Sequence, residues 1–232
     1  MTTVCRHNDI LQQRLTNLIV AGDAKGLQAA LQGLSNKDAR TAGYLLGEVL
    51  LPQYAEGERF WALFLHLVPA QPKAYLGTFL KAAVTLYGCG RIAFSSLCLT
   101  EFSAHCSPVD REKFLKACLP ILRTPHEAQG VLQAFGMRQD KRTAAYLLHG
   151  GSAVCYYLLF KTLKVIEDEG FLRDCCRTLM LKGDARSFNL ASIVCHYFDL
   201  KDVPGVFSLR MEPYQLNRLD KSFESFLDII QQ

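Results

Sequence analysis

Ile10, Leu11, Leu15, Leu18 and Ile19 recur three and four residues apart and stop at Gly22. That spacing lines one face of a helix, and it returns along most of the chain with a break about every 12 to 18 residues. Leu27, Ala30, Leu31 and Leu34 form the next stripe, so close behind the first that the two helices are expected to pack antiparallel. A third helix is expected from about Asn36 through Ala42, Leu45, Leu46, Val49 and Leu50 to a break at Pro52. Two more carry Phe60, Trp61, Phe64, Leu65 and Val68, then Tyr75, Leu76, Phe79, Leu80, Ala83 and Val84. Gly88 and Gly90 end the second of these.

Two helix starts are written into the middle of the chain. Ser107-Pro108-Val109-Asp110 and Thr124-Pro125-His126-Glu127 each place a hydroxyl cap, a proline at the first helical position and an acid at the third. The second is a full capping box. Further helices are expected at about 139–149, 152–168, 170–182 and 186–199, followed by a loop around Val203-Pro204-Gly205. A last helix carries Leu216, Leu219, Phe223, Phe226 and Ile230, a narrow seam read as closing the core rather than docking a partner. Alternating strand patterns are almost absent, so the fold class is all-α.

Asp38-Ala39-Arg40-Thr41-Ala42-Gly43-Tyr44-Leu45-Leu46 matches Asp140-Lys141-Arg142-Thr143-Ala144-Ala145-Tyr146-Leu147-Leu148 at seven of nine positions, each after a Leu-Gln-Ala helix. A fainter echo pairs Thr85-Leu86 and Gly88 with Thr178-Leu179 and Gly183. Three origins stay open: an old duplication, helix pairs built to one pattern, and chance among residues favoured in any helix. The expected architecture is an α-solenoid-like helical-repeat array of about 12–13 short antiparallel helices. It would form one all-helical domain over 1–232, or two related halves at about 9–106 and 107–200 with 201–232 as a C-terminal cap. If the halves are related, Leu45 and Leu147 are both buried, and Arg40 and Arg142 project from corresponding edges. The tetratricopeptide and ankyrin signatures are missing.

Composition narrows the class further. Half of the 232 residues are hydrophobic, enough for an extended core, and 26 basic residues face 22 acidic ones without a run that would track a phosphate backbone. The amino terminus has no basic start followed by an apolar stretch, and the longest apolar runs, 60–65 and 153–160, are far below a bilayer span. A cytoplasmic protein without a membrane segment is expected. The nine cysteines, odd in number and mostly set among apolar neighbours, are expected to be reduced and buried.

Arg40 with Tyr44, and Arg142 with Tyr146, each stand four apart on one helix face, where guanidinium and phenol can present donors side by side to an anionic or peptide ligand. The commoner use of such a pair is an arginine snorkelling over a half-buried tyrosine. His105-Cys106 and Cys195-His196 lack the spacing of a zinc site, so neither a metal nor a cofactor is expected. Of the thiols in Cys175-Cys176, one is expected to face the core and the other outward. Glu167-Asp168-Glu169 reads as a solvated turn, and Phe60, Trp61 and Phe64 as core. Gly88-Cys89-Gly90 and Gly150-Gly151 lack the context of a phosphate loop.

No chemical centre stands out. The expected function is therefore a non-enzymatic interaction module that binds a protein or peptide along its stacked helices. The alternatives are a helical-repeat nucleic-acid-binding or DNA-repair protein, with Arg40, Arg59 and Arg91 as its electrostatic footprint, and a small enzyme with a pocket between helices.

Overall fold

Most stripes of the sequence become helices with a defined cap or stop. A computed structural model describes residues 2–70, 72–94, 96–105, 107–201, 203, 217–219 and 221–231; at 2–8, 68–70, 72–74, 96–98, 102 and 105 it describes the backbone alone. The described residues are predominantly helical, and there is no strand among them. Two compact units divide the chain, Met1–Phe114 and Leu115–Gln232.

In the first unit, α1 (Thr2–Ala21) buries Leu11, Leu15 and Ile19 and lies against α2 (Ala24–Gln32). Asp23 caps α2 by accepting from the Gly26 amide at 2.8 Å. α3 (Asn36–Tyr44) begins at Ser35, whose hydroxyl accepts from the Asp38 amide. It then departs from expectation. Instead of breaking at Pro52, the chain runs through a π-helical turn, Leu45–Leu50, into the short α4 (Leu51–Tyr54) with the backbone helical throughout. The Leu51 amide reaches back five residues to the Leu46 carbonyl. A proline normally stops a helix because its ring strikes the carbonyl four residues back, and a widened turn relieves that clash.

α5 (Gly57–Ala70) and α6 (Pro72–Gly88) supply the core of this unit. Phe60, Trp61, Phe64 and Phe79 pack ring to ring, with Phe60 5.1 Å from Trp61 and 5.7 Å from Phe79. The Trp61 indole donates to the Ala93 carbonyl at 3.0 Å. Arg91 joins the two ends of this layer: its guanidinium donates to the carbonyls of Pro52 and Gln53 in α4 and pairs with Glu56 at 3.1 Å. α7 (Ser96–His105) lies against α5, and α8 (Pro108–Cys118) begins at Ser107, whose hydroxyl accepts from the Asp110 amide.

The second unit is built around α11 (Ala153–Leu163), in which every residue from Val154 to Phe160 is buried. A helix that is apolar all round must be covered on all sides. Here α9 (Pro125–Ala134), α10 (Lys141–Gly150), α13 (Ala185–Tyr197) and α14 (Phe223–Ile230) all lie against it. α12 (Glu169–Lys182) pairs with α13. The Thr124–Glu127 capping box forms in full. α10 closes at Gly151, at φ +68°, a conformation that costs a side-chain-bearing residue energy but glycine little.

Several expectations need correction. α11 stops at Leu163, short of the expected end at 168, and Asp168 caps the next helix by accepting from the Phe171 amide at 2.9 Å. The terminal seam is not one helix: Ser222, in extended conformation, caps α14, while Leu219 is buried in the turn before it. Leu216 and the Pro204-Gly205 part of the expected loop lie outside the described residues.

The two matched segments also differ in phase. Leu147 is buried as expected, but Leu45 is only half-buried and its neighbour Leu46 takes the core position. The π turn starts at Leu45. Ala42 and Ala144, before that point, are both fully buried.

Candidate functional site

Arg40 and Tyr44 stand on the outer side of α3, both exposed, Tyr44 at 64%. Beside them Gly43 and Gly47, also four apart, form a strip without side chains. α6 comes in over this strip at Thr78. The Thr78 hydroxyl donates to the Gly43 carbonyl at 3.5 Å, and a β-carbon at Gly47 would stand 3.1 Å from Thr78 Cγ2 and 3.3 Å from its carbonyl oxygen. Close approach at the glycines leaves the flanking residues standing apart. The result is an open groove of about 800 Å³ between α3, the π turn and α6, with Arg40, Tyr44, Glu48, Tyr75, Gly77 and Lys81 among its lining residues.

The chemistry of the groove is mixed. Lys81 and Glu48 form an ion pair across it, whereas Arg40 has no ion-pair partner among the described residues. Tyr75 is almost fully buried, and burial holds its phenol above the usual range, so it stays a neutral hydroxyl. Tyr44 leaves most of its surface in solvent. The groove thus presents one unpaired cation, exposed aromatic surface and bare backbone at Gly43 and Gly77.

Arg142 and Tyr146 are placed differently. Arg142 is exposed on α10 and Tyr146 is half-buried, and neither lines a described cavity. The glycine strip has no counterpart there, because Ala145 and His149 stand where the first segment has Gly43 and Gly47. The cavity beside α10 opens instead on its inner side. It is about 200 Å³, bounded by Leu132, Met137, Arg138, Thr143, Leu158 and Thr162 among others. The Thr143 hydroxyl is buried there without a hydrogen-bond partner, while that of Thr162 donates to the Leu158 carbonyl at 2.8 Å.

Gly43, Gly47, Tyr75 and Thr78 were not singled out by reasoning from sequence. The small-x-x-x-small spacing of Gly43 and Gly47 was the available signal, since it allows close helix contact. Of the footprint arginines, Arg40 and Arg59 are exposed, but Arg91 is committed to helix carbonyls.

Cys175 and Cys176 are both buried, which corrects the expectation of one outward thiol. Cys89 is exposed, against the expectation of burial. Cys195 is buried while the adjacent His196 is exposed; His105 and Cys106 lie outside the described side chains. No group of three or more potential metal ligands occurs among the described residues. None of the described helices is long and apolar enough to cross a membrane. Compared with family models, curated protein sequences and solved structures, the chain gives no significant match.

Proposed function

We propose that this chain is a non-enzymatic interaction module, an α-solenoid-like set of helix pairs, that binds an extended protein or peptide segment in the groove between α3 and α6. The observation that carries the reading is the combination of Arg40 and Tyr44 on one wall with the bare Gly43–Gly47 strip beside them. A peptide laid there meets Tyr44 for apolar contact, Arg40 for an acidic side chain or carboxylate, and Glu48 and Lys81 for polar rim contacts. Tyr and Arg are also the residue types that most often dominate binding energy at interfaces. The nucleic-acid reading draws less support, because Lys81 is neutralised by Glu48 and Arg91 is engaged inside its own unit.

Gly77 makes the test clean. It lines the groove, and a β-carbon there meets nothing within 4 Å, so a side chain added at this position starts without a clash and projects into the groove. Peptides selected by display on the full chain should lose at least about tenfold in affinity on Gly77→Trp and on Arg40→Glu, the loss of roughly one anchoring contact. They should keep it on Arg142→Glu. Binding that survives Gly77→Trp rejects the groove, and steeply salt-dependent binding of duplex DNA by the same protein favours the nucleic-acid alternative.

A further inference from the structure

Cys175-Cys176 and Cys195-His196 are brought together by the hairpin of α12 and α13. Gly183, at φ +73°, ends α12, and Asp184 caps α13 by accepting from the Ser187 amide at 2.9 Å. The antiparallel return sets the sulfur of Cys176 3.6 Å from that of Cys195, with the Ala191 carbonyl 3.8 Å from Cys176 on the same side. Cys176 is fully buried, whereas Cys195 retains 8% exposure at the edge of the packing. Arg173, three residues before Cys176, holds its guanidinium in place through Glu169 at 2.6 Å and the Lys201 carbonyl.

We propose that Cys176 and Cys195 are a dithiol modification site that a hydroperoxide converts to a disulfide, Cys195 attacking and Cys176 resolving. The geometry supplies the division of labour. In the dithiol Cys195 donates to the Cys176 sulfur and Cys176 to the Ala191 carbonyl, and Cys195 is the more exposed of the two. Once Cys195 ionises, the Cys176 thiol can turn to donate to it, and this contact together with Arg173 lowers the Cys195 pKa, while the contact with Cys195 and burial push Cys176 up. Cys175 is pushed up to about 12 by burial and by the Asp174 carboxylate, and burial also pushes Cys118 and Cys155 up.

In the first step the Cys195 thiolate attacks one peroxide oxygen. A sulfur–oxygen bond forms, the oxygen–oxygen bond breaks, and the leaving hydroxide or alkoxide takes up a proton, leaving a sulfenic acid. Cys176 then attacks that sulfur. The sulfur–sulfur bond forms, the sulfur–oxygen bond breaks, and water leaves with the Cys176 proton. Two thiols are oxidised and one peroxide is reduced. The sulfurs must close from 3.6 Å to about 2.0 Å.

The test oxidises the full native chain with hydrogen peroxide, blocks remaining thiols with N-ethylmaleimide, and maps tryptic peptides by mass spectrometry. Trypsin cuts after Arg173, Arg177, Arg186 and Lys201, so the disulfide appears as the 174–177 peptide joined to the 187–201 peptide. That product is expected in the wild type and in Cys175→Ser, and lost in Cys176→Ser and Cys195→Ser. In Cys176→Ser a dimedone-type probe should label Cys195. The proposal is overturned if the joined peptide is absent while the exposed Cys89 is oxidised, if Cys175 is the bonded residue, or if the product forms only after denaturation. The wild-type map decides the first and last of these even where a serine variant fails to fold.

Discussion

Truncating Leu46 should destabilise the first unit far more than truncating Leu45. Leu46→Ala removes three carbons from a side chain with no exposed surface. At about 0.8 kcal/mol per buried carbon the transfer loss is roughly 2.4 kcal/mol, and incomplete collapse of the cavity brings the expected cost to about 3–4 kcal/mol. Leu45 is only half-buried, so Leu45→Ala should cost about 1–1.5 kcal/mol by the same reckoning. Trp61 provides the assay. It is the one tryptophan in the chain, it lies in the first unit, and it is 8% exposed with its indole N–H bonded to Ala93, so its fluorescence follows the unfolding of that unit in urea. In the second unit the order reverses, with Leu147→Ala costlier than Leu148→Ala, since Leu147 is fully buried and Leu148 is not. A Leu45→Ala cost equal to or above that of Leu46→Ala would show that the core phase runs unshifted through this segment and would refute the π turn.

Gly47→Ala should destabilise although alanine is the better helix former by about 1 kcal/mol, because the new carbon presses on the Thr78 backbone; Gly77→Ala, with open space around it, should stabilise by up to about 1 kcal/mol, and both are read from urea midpoints. Arg91→Ala should cost about 1–2 kcal/mol, since it uncaps the Pro52 and Gln53 carbonyls; removing only the exposed partner with Glu56→Gln should cost under about 1 kcal/mol, and equal costs would place the value in the ion pair instead. Asp184 is held below the usual carboxylate range by the Ser187 hydroxyl and amide and by Lys182 and Arg186. A depressed folded-state pKa gives stability that is full above the unfolded value near 3.9 and lost as pH falls through the folded one. The destabilisation by Asp184→Asn should therefore be present at pH 7 and shrink below about pH 4, and a penalty that is constant down to pH 2 would contradict the assignment.

The parts of the fold legible in the sequence were those fixed by local chemistry. Thr124 and Glu127 cap α9 because a hydroxyl, a proline and an acid at that spacing satisfy free amides wherever they occur. The burial of Phe60, Trp61 and Phe64 follows from spacing and hydrophobicity alone. Ser222 also has the chemistry of a cap, but it sits inside the seam from Leu216 to Ile230 that reads as continuous, and Val165 and Ile166 extend the apolar pattern of α11 past its actual end at Leu163 toward the turn at Asp168. The groove was half legible. Arg40 and Tyr44 were visible as a pair, yet what makes a groove beside them is the approach of Thr78 from another helix, and such a contact leaves no trace in local periodicity.

The two matched nonapeptides show why similar residues do not guarantee similar burial. They agree at seven of nine positions, and Ala42 and Ala144 take the same place in the core, yet the buried leucine is the eighth residue in one segment boundary and its neighbour in the other: Leu147 in α10, Leu46 in the π turn. The cause lies downstream of the motif. α10 ends at Gly151, whose left-handed conformation closes the helix and asks nothing of the residues before it. The first segment instead carries Pro52 six residues past its end, in a helix that continues to Tyr54. Accommodating that ring requires a wider turn upstream, the wider turn rotates every later side chain about the axis, and Leu46 inherits the core position. On this reasoning Pro52→Ala removes the need for the π turn, so in that background the cost of Leu45→Ala should rise toward that of Leu46→Ala. If the two costs stay as far apart as in the wild type, the turn is held by the packing of α6 on Gly47 and not by the proline.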